Sequence, residues 1–174
     1  MPEVGVVLGS DSDLRKIASG LDLLNRLGIE NEVRIISAHR TPKEAFDYAE
    51  KAKTRGIKVI IAVAGLAAHL GGVLAAATTL PVIAVPINAG SLNGLDAVYA
   101  SLQMPPGVPV AVVGLDNMKN AALLAAQILA LDSENIARQV TEFREKQRQE
   151  VLKKDSQLQK VGYQSYLEDN FNSK

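Results

Sequence analysis

The sequence predicts a doubly wound α/β fold, a three-layer αβα sandwich with a five-stranded parallel sheet at its centre and a long C-terminal helix behind it. Three observations carry this reading. Strand-length apolar runs and helix-period segments alternate five times along the chain. Residues 59–64 are continuously apolar and rich in β-branched side chains, as a strand covered on both faces requires. Polar residues gather at 9–13, 37–40, 65–70 and 86–93, the connections that leave the strands' carboxyl ends, which is where a fold with right-handed crossovers binds its ligand.

Taken in order, the apolar run from Val4 stops at Gly9 and passes through Ser10, Asp11, Ser12 and Asp13 into a helix expected over about 12–27, patterned by Leu14, Ile17, Ala18 and Leu21. Gly28 reads as its C-cap. Residues 32–36 read as the second strand, closing on Ser37-Ala38-His39-Arg40. Thr41-Pro42-Lys43-Glu44 then combines an N-cap, a proline at the first helical position and a capping-box acid, and Gly56 ends that helix. After the third strand, residues 65–77 form a short helical stretch apolar on every side, which must be buried, in part by another subunit. Residues 81–86 read as a strand, 94–102 as a helix, 108–113 as the fifth strand and 117–131 as an Ala/Leu-rich helix. The catalytic domain is therefore expected over 1–131. Residues 132–174 form a separate segment, a helix striped by Ile136, Val140, Phe143 and Val151 that is expected to lie across a neighbouring protomer, with cover of its own sheet as the alternative, and a polar tail from Gly162.

At 174 residues the chain suits one domain with an appendage. A formal net charge of zero gives no electrostatic reason to expect nucleic acid or an anionic membrane as partner. Without cysteine there is no disulfide, thiolate nucleophile or cysteine-ligated metal. The opening Met-Pro-Glu-Val lacks the basic and apolar regions of a signal peptide, and no apolar run reaches membrane-spanning length, so the chain reads as a soluble cytoplasmic protein.

A helix beginning beyond Gly9 aims unpaired N–H groups and the positive end of its dipole at whatever lies above the first strand, which suits an anion. Capping of that helix is the simpler role for any single residue of the turn. Two acids beside a phosphate would repel it, so a phosphate also needs a cation from elsewhere. Arg40 supplies one, with a fork matched to phosphate oxygens. The two histidines, His39 and His69, fall on the same predicted edge, and imidazole is the side chain best able to exchange a proton near neutrality. Two histidines without a third ligand make a weak metal site. Rival doubly wound proteins lack support: there is no Gly-x-Gly-x-x-Gly and no Gly-Lys-Ser/Thr loop, the third strand ends Ala62-Val63-Ala64 where a receiver domain carries an acid, and Asp11 and Asp13 spoil a flavin-phosphate loop.

These residues resemble the N5-carboxyaminoimidazole ribonucleotide mutases of purine biosynthesis. The likeness rests on Gly-Ser-Asp-Ser-Asp at 9–13, Ser-Ala-His-Arg-Thr-Pro at 37–42, Ala-Ala-His-Leu at 67–70, Asn-Gly-Leu-Asp at 93–96 and Gln-Met-Pro at 103–105. The resemblance implies a flavodoxin-like sheet, a homo-octamer and a ribonucleotide substrate, with no cofactor and no metal. It implies His39 as the catalytic acid/base, Ser10, Ser12, Asp13, Ser37 and Arg40 as substrate-binding residues, and His69 and Leu70 as part of a loop closing over the substrate. Two alternatives stand beside it, a carboxylase acting directly on aminoimidazole ribonucleotide and CO2, and a nucleotide-binding oligomer without catalysis. The chain departs from the family pattern at Val63, Leu66 and Gly71, which replace a glycine, a glycine and a proline. Leu66 matters most, because a side chain there crowds the pocket or demands a φ forbidden to it. Either the site is remodelled or the chain serves a relative of the usual substrate.

Overall fold

The computed structural model describes residues 1–171, which fall into two compact units, Met1–Ala137 and the segment from Arg138 onward. The first unit is built on β1 (Val4–Leu8), α1 (Leu14–Arg26), β2 (Asn31–Ile35), α2 (Pro42–Ala52), β3 (Val59–Gly65), α3 (Leu70–Ala76), β4 (Val82–Ile87), α4 (Leu95–Leu102), β5 (Ala111–Val112) and α5 (Met118–Leu129). All pairings are parallel and the strand order is β2-β1-β3-β4-β5, the flavodoxin-like order, which reverses direction between β1 and β3. β1, β3 and β4 are apolar and almost wholly buried because helices cover both faces. On one face Val7, Ile60, Ala62 and Val82 join Ala45, Tyr48 and Ala49 of α2 and Leu70 and Leu74 of α3 in one core. On the other, α1 packs on α5 so closely that a Cβ on Gly20 would lie 2.8 Å from the Met118 carbonyl carbon.

The register does the work of placing loops. Leu8 pairs with Ile35 on one side and Val63 on the other, and the Gly9 N–H donates to the Val63 carbonyl at 2.9 Å. The chains leaving β1, β2 and β3 therefore start level with one another.

Several boundaries differ from the sequence expectation for local reasons. α1 is preceded by a 3₁₀ turn at Asp11–Asp13 rather than beginning at Ser12. Gly28 and Gly56 do close their helices in left-handed conformation, with φ of 71° and 91°. The capping box of α2 does not form. The Thr41 hydroxyl instead accepts from the Ser37 N–H at 2.9 Å and donates to the Ser37 carbonyl at 3.0 Å, closing the loop that carries His39 and Arg40. The helical stretch expected over 65–77 shrinks to α3, because Leu66 is left-handed (φ 54°) and the Ala68 and His69 N–H groups turn tightly back onto the Leu66 and Ala67 carbonyls. α3 buries Leu70, Gly71 and Leu74 but leaves Ala76 exposed. β5 is two residues long because Pro109 has no N–H to offer a ladder.

Pro86 lies inside β4 yet lacks a donor. β5 ends opposite Ala84, so no strand faces Pro86 on that side, and its carbonyl accepts from the Asp116 N–H at 2.9 Å.

The last helix, α6 (Glu134–Phe171), is interrupted at Gly162 (φ 77°, ψ 160°), beyond which a second helical stretch replaces the expected polar tail; residues 172–174 of that tail lie outside the described residues. Composition explains the restart, since Gln, Leu and Glu after Gly162 favour helix. Among the described residues no helix is long and apolar enough to cross a membrane.

The β2 edge is braced by a buried phenol. The Tyr48 hydroxyl donates to Glu32 Oε1 at 2.9 Å, Arg55 pairs with the same carboxylate, and the guanidinium lies 5.2 Å from the Tyr48 ring centre. Burial, then Glu32, pushes the phenol pKa well up. The oxygen sits where Gly5 leaves room: a Cβ there would lie 2.1 Å from it. We expect Gly5→Ala to cost about 1–3 kcal/mol as an overpacked site and Tyr48→Phe about 1 kcal/mol for the lost hydrogen bond. In the double variant the first cost falls, giving a coupling on the order of 1 kcal/mol in urea unfolding. Strict additivity would show that the hydroxyl does not occupy the glycine's space.

Candidate active site

A cavity of about 500 Å³ opens at the carboxyl ends of β1, β2 and β3, at the point where the strand order reverses. All eight residues singled out in the sequence line it: Ser10, Ser12, Asp13, Ser37, His39, Arg40, His69 and Leu70.

The β1–α1 turn folds on itself. Ser10 accepts from the Ser12 N–H at 3.3 Å, and the Ser12 hydroxyl lies within reach of both Ser10 Oγ (2.8 Å) and Asp13 Oδ1 (3.3 Å). Ser10 thus caps the turn and lines the cavity at once. Asp13 is only 9 % exposed, and burial raises its carboxyl above the ordinary carboxylate value, with the Ser12 hydrogen bond and Lys16 pulling it back down.

The β2–α2 loop places its cation against that turn. Arg40 Nη2 donates to the Gly9 carbonyl at 3.1 Å and Nε to Ser37 Oγ at 3.3 Å, which fixes the guanidinium plane while its remaining N–H groups have no acceptor among the described residues. The anion-suited turn and the cation it needs are therefore tied together by one hydrogen bond.

His39 and His69 arrive from different loops and meet. His39 Nε2 lies 2.9 Å from His69 Nδ1, with ring centres 5.0 Å apart and planes at 77°. One nitrogen must donate and the other accept, so the tautomer of each ring is set by its neighbour. Leu70, at the start of α3, has a buried side chain and lines the cavity. No group of three or more metal-ligating side chains exists among the described residues.

Leu66, which the sequence marks as crowding the pocket, does line the cavity from the β3–α3 loop, and sequence reasoning did not single out Ala89, which lines it from the β4–α4 connection. Nor did it find the clamp behind them, in which Lys16 donates to the Asn88 carbonyl and lies 3.9 Å from Asp116, whose carboxylate accepts from the Asn88 N–H at 2.9 Å. The only available signal was Gly90 in a polar stretch after β4. Two sequence motifs serve structure instead: Asn93 and Gly94 make a left-handed turn (φ 51° and 83°) into α4, and Met104 packs where a Cβ on Gly72 would lie 3.0 Å from its terminal methyl.

Fold and cavity together define a doubly wound α/β protein whose cavity sets an arginine and the β1–α1 turn beside an imidazole pair. The AIR carboxylase family matches residues 3–150, and the chain belongs to that family. It is 51% identical over 167 residues to the N5-carboxyaminoimidazole ribonucleotide mutase of Thermotoga maritima, covering 96% of this chain and 98% of that one. It is 48% identical over 168 residues to the phosphoribosylaminoimidazole carboxylase of Saccharomyces cerevisiae, covering 97% of this chain and 29% of that longer protein. Among solved structures, Treponema denticola PurE superposes with a TM-score of 0.83 at 34% identity, over 91% of this chain and 99% of that one.

A raised carboxyl pKa has a definite sign. Folded Asp13 holds its proton more tightly than the unfolded chain, so its contribution is favourable below the ordinary value of 3.8 and is lost as pH rises through the folded pKa. Asp13→Asn should therefore gain in melting temperature relative to the parent as pH rises from that range toward neutrality. A difference in melting temperature that does not vary with pH would show that Asp13 carries no burial penalty.

Proposed function

We propose that this chain is an intramolecular transferase, a mutase that moves a carboxylate from the exocyclic nitrogen of N5-carboxyaminoimidazole ribonucleotide to ring carbon 4, in purine biosynthesis. The observation that carries the reading is the meeting of His39, Arg40 and the Ser10–Asp13 turn in one cavity, in a chain whose Thermotoga relative is named for that activity over nearly its whole length.

In this reading the first turn and the free N–H groups of Arg40 hold the phosphate, and Ser12, Asp13 and Ser37 meet hydroxyls or N–H groups of the substrate. The N–C bond breaks with its electron pair left on nitrogen, which takes a proton, and CO2 is released beside the ring. Carbon 4 attacks CO2 and becomes tetrahedral, carrying both hydrogen and carboxylate. His39 removes that hydrogen as a proton and restores aromaticity. One proton is gained and one lost, so acid/base chemistry suffices without a cofactor. His69 and Leu70 close the loop over the ring. We place the enzyme in the cytoplasm.

The name of the yeast relative favours a second reading, direct carboxylation of aminoimidazole ribonucleotide with CO2. Turnover of the carboxyamino nucleotide, compared with aminoimidazole ribonucleotide plus bicarbonate, separates the two. We expect the first substrate to be preferred, and His39→Asn to keep binding within about tenfold while turnover falls by roughly 10²–10⁴. Near-parental turnover in that variant would make His39 structural.

We further propose a homo-octamer in which residues 132–174 pack on neighbouring subunits. The support is an unpartnered apolar stripe on α4, where Leu95, Tyr99 and Leu102 are 58, 61 and 54 % exposed, and the exposed Val151, Leu152, Tyr163 and Leu167 of α6. Apolar surface of this kind is stabilised by burial at about 25 cal/mol per Å². Light scattering should give the mass of eight chains, and Leu95→Glu should lower it. A fully active monomer would overturn the proposal.

A further inference from the structure

The two loops that close the cavity beside β3 and β4 meet at one side chain. Leu66 holds a left-handed backbone, φ 54°, a strain on an L residue that glycine would avoid. At 53 % exposure its own burial does little to offset that strain. Its Cδ2 methyl lies over Gly90, filling the space of the missing side chain: a Cβ on Gly90 would stand 2.6 Å from it. Beneath this contact the Ala89 methyl lies 3.1 Å from where a Cβ on Gly65 would be. Leu66 and Ala89 both line the cavity. An apolar bridge thus spans the β3–α3 and β4–α4 loops, and among the described residues Leu66 alone lies within 4 Å of the place a side chain on Gly90 would take.

The cavity is divided by chemistry. Its β1 and β2 side carries Ser10, Asp13, His39 and Arg40, and its β3 and β4 side carries the imidazole of His69 among the apolar Ala64, Leu66, Leu70 and Ala89. The first side suits a charged substrate, and the apolar lining of the second suits a small uncharged molecule.

We propose that Leu66 is the wall that keeps CO2 in the cavity between its release and its recapture. The inference rests on the mutase reading. Once the N–C bond has broken, with its electron pair on a nitrogen that gains a proton, CO2 is neutral and held only by apolar contact and the exclusion of water. It either forms the bond to carbon 4, which then gives up its proton, or escapes to become bicarbonate. Leu66 sets that partition as a positioning residue, touching neither the phosphate nor the transferred proton.

The test uses the full-length enzyme and substrate labelled with ¹⁴C in the carboxylate, in unlabelled bicarbonate. The parent should keep most label in the 4-carboxy product. Leu66→Gly should raise the ratio of leaked to retained label by about tenfold, the scale set by removing methyl contacts from a pocket. Its KM should stay within about threefold, since the phosphate contacts are unchanged. Leu66→Ala, which keeps the Cβ but not the methyl over Gly90, should leak similarly, and Leu66→Met should restore retention. Because glycine suits the backbone here, the melting temperature should not fall with retention, whereas a purely structural leucine would lose both together. Equal retention in parent, Leu66→Gly and Leu66→Ala, with normal turnover, overturns the inference and leaves the mutase reading intact. A parent that does not turn over the substrate overturns both.

Discussion

Everything in the cavity depends on the pairing of β1 between β2 and β3. Because Leu8 lies level with Ile35 and with Val63, three chains exit the sheet at one height, and residues separated by dozens of positions share one cavity. The Gly9 backbone joins the arrangement, its N–H bound to Val63 and its carbonyl to the Arg40 guanidinium. A slip of one residue would turn the apolar sets of β1 away from their helices and separate these loops in the same movement. The hydrophobic pattern that specifies the sheet therefore also specifies the site.

Against that rigid frame, local comfort is given up where ligand chemistry gathers. Asp13 is buried with its pKa raised, Leu66 holds a backbone suited to glycine, and two imidazoles are close enough that each dictates the other's tautomer. None of these arrangements helps the chain fold. Their concentration around one cavity, while β1, β3 and β4 are regular, is what a site held in tension by its scaffold looks like.

The sheet order and the residues around the cavity were legible because both follow from short-range pattern. β-branched runs mark buried strands, and Ser, Asp, His and Arg after those runs have little structural reason to cluster except at an edge. The cap expected of Thr41 does not form because the Ser37 N–H and carbonyl both engage its hydroxyl. β5 was overestimated because Val108 and Val110 outweighed Pro109 in the pattern. Leu66 was seen as a departure, but its contact with Gly90 joins two loops and leaves no trace in local sequence. The Lys16, Asn88 and Asp116 clamp was illegible for the same reason. Periodicity reports what one element needs; it is silent on which distant side chain meets it.

Pro86 has a consequence for the molecule's behaviour among its neighbours. Past the end of β5, the flank of β4 would ordinarily offer a row of free donors and acceptors to any extended chain that drifted by. Here the Ala84 carbonyl is taken by Val113, the Pro86 carbonyl by Asp116, the Asn88 N–H by the Asp116 carboxylate and the Asn88 carbonyl by Lys16, while Pro86 has no N–H at all. The shortened last strand therefore leaves no open row on β4 beyond it, and that flank of a fold rich in apolar β-structure is closed to templated growth.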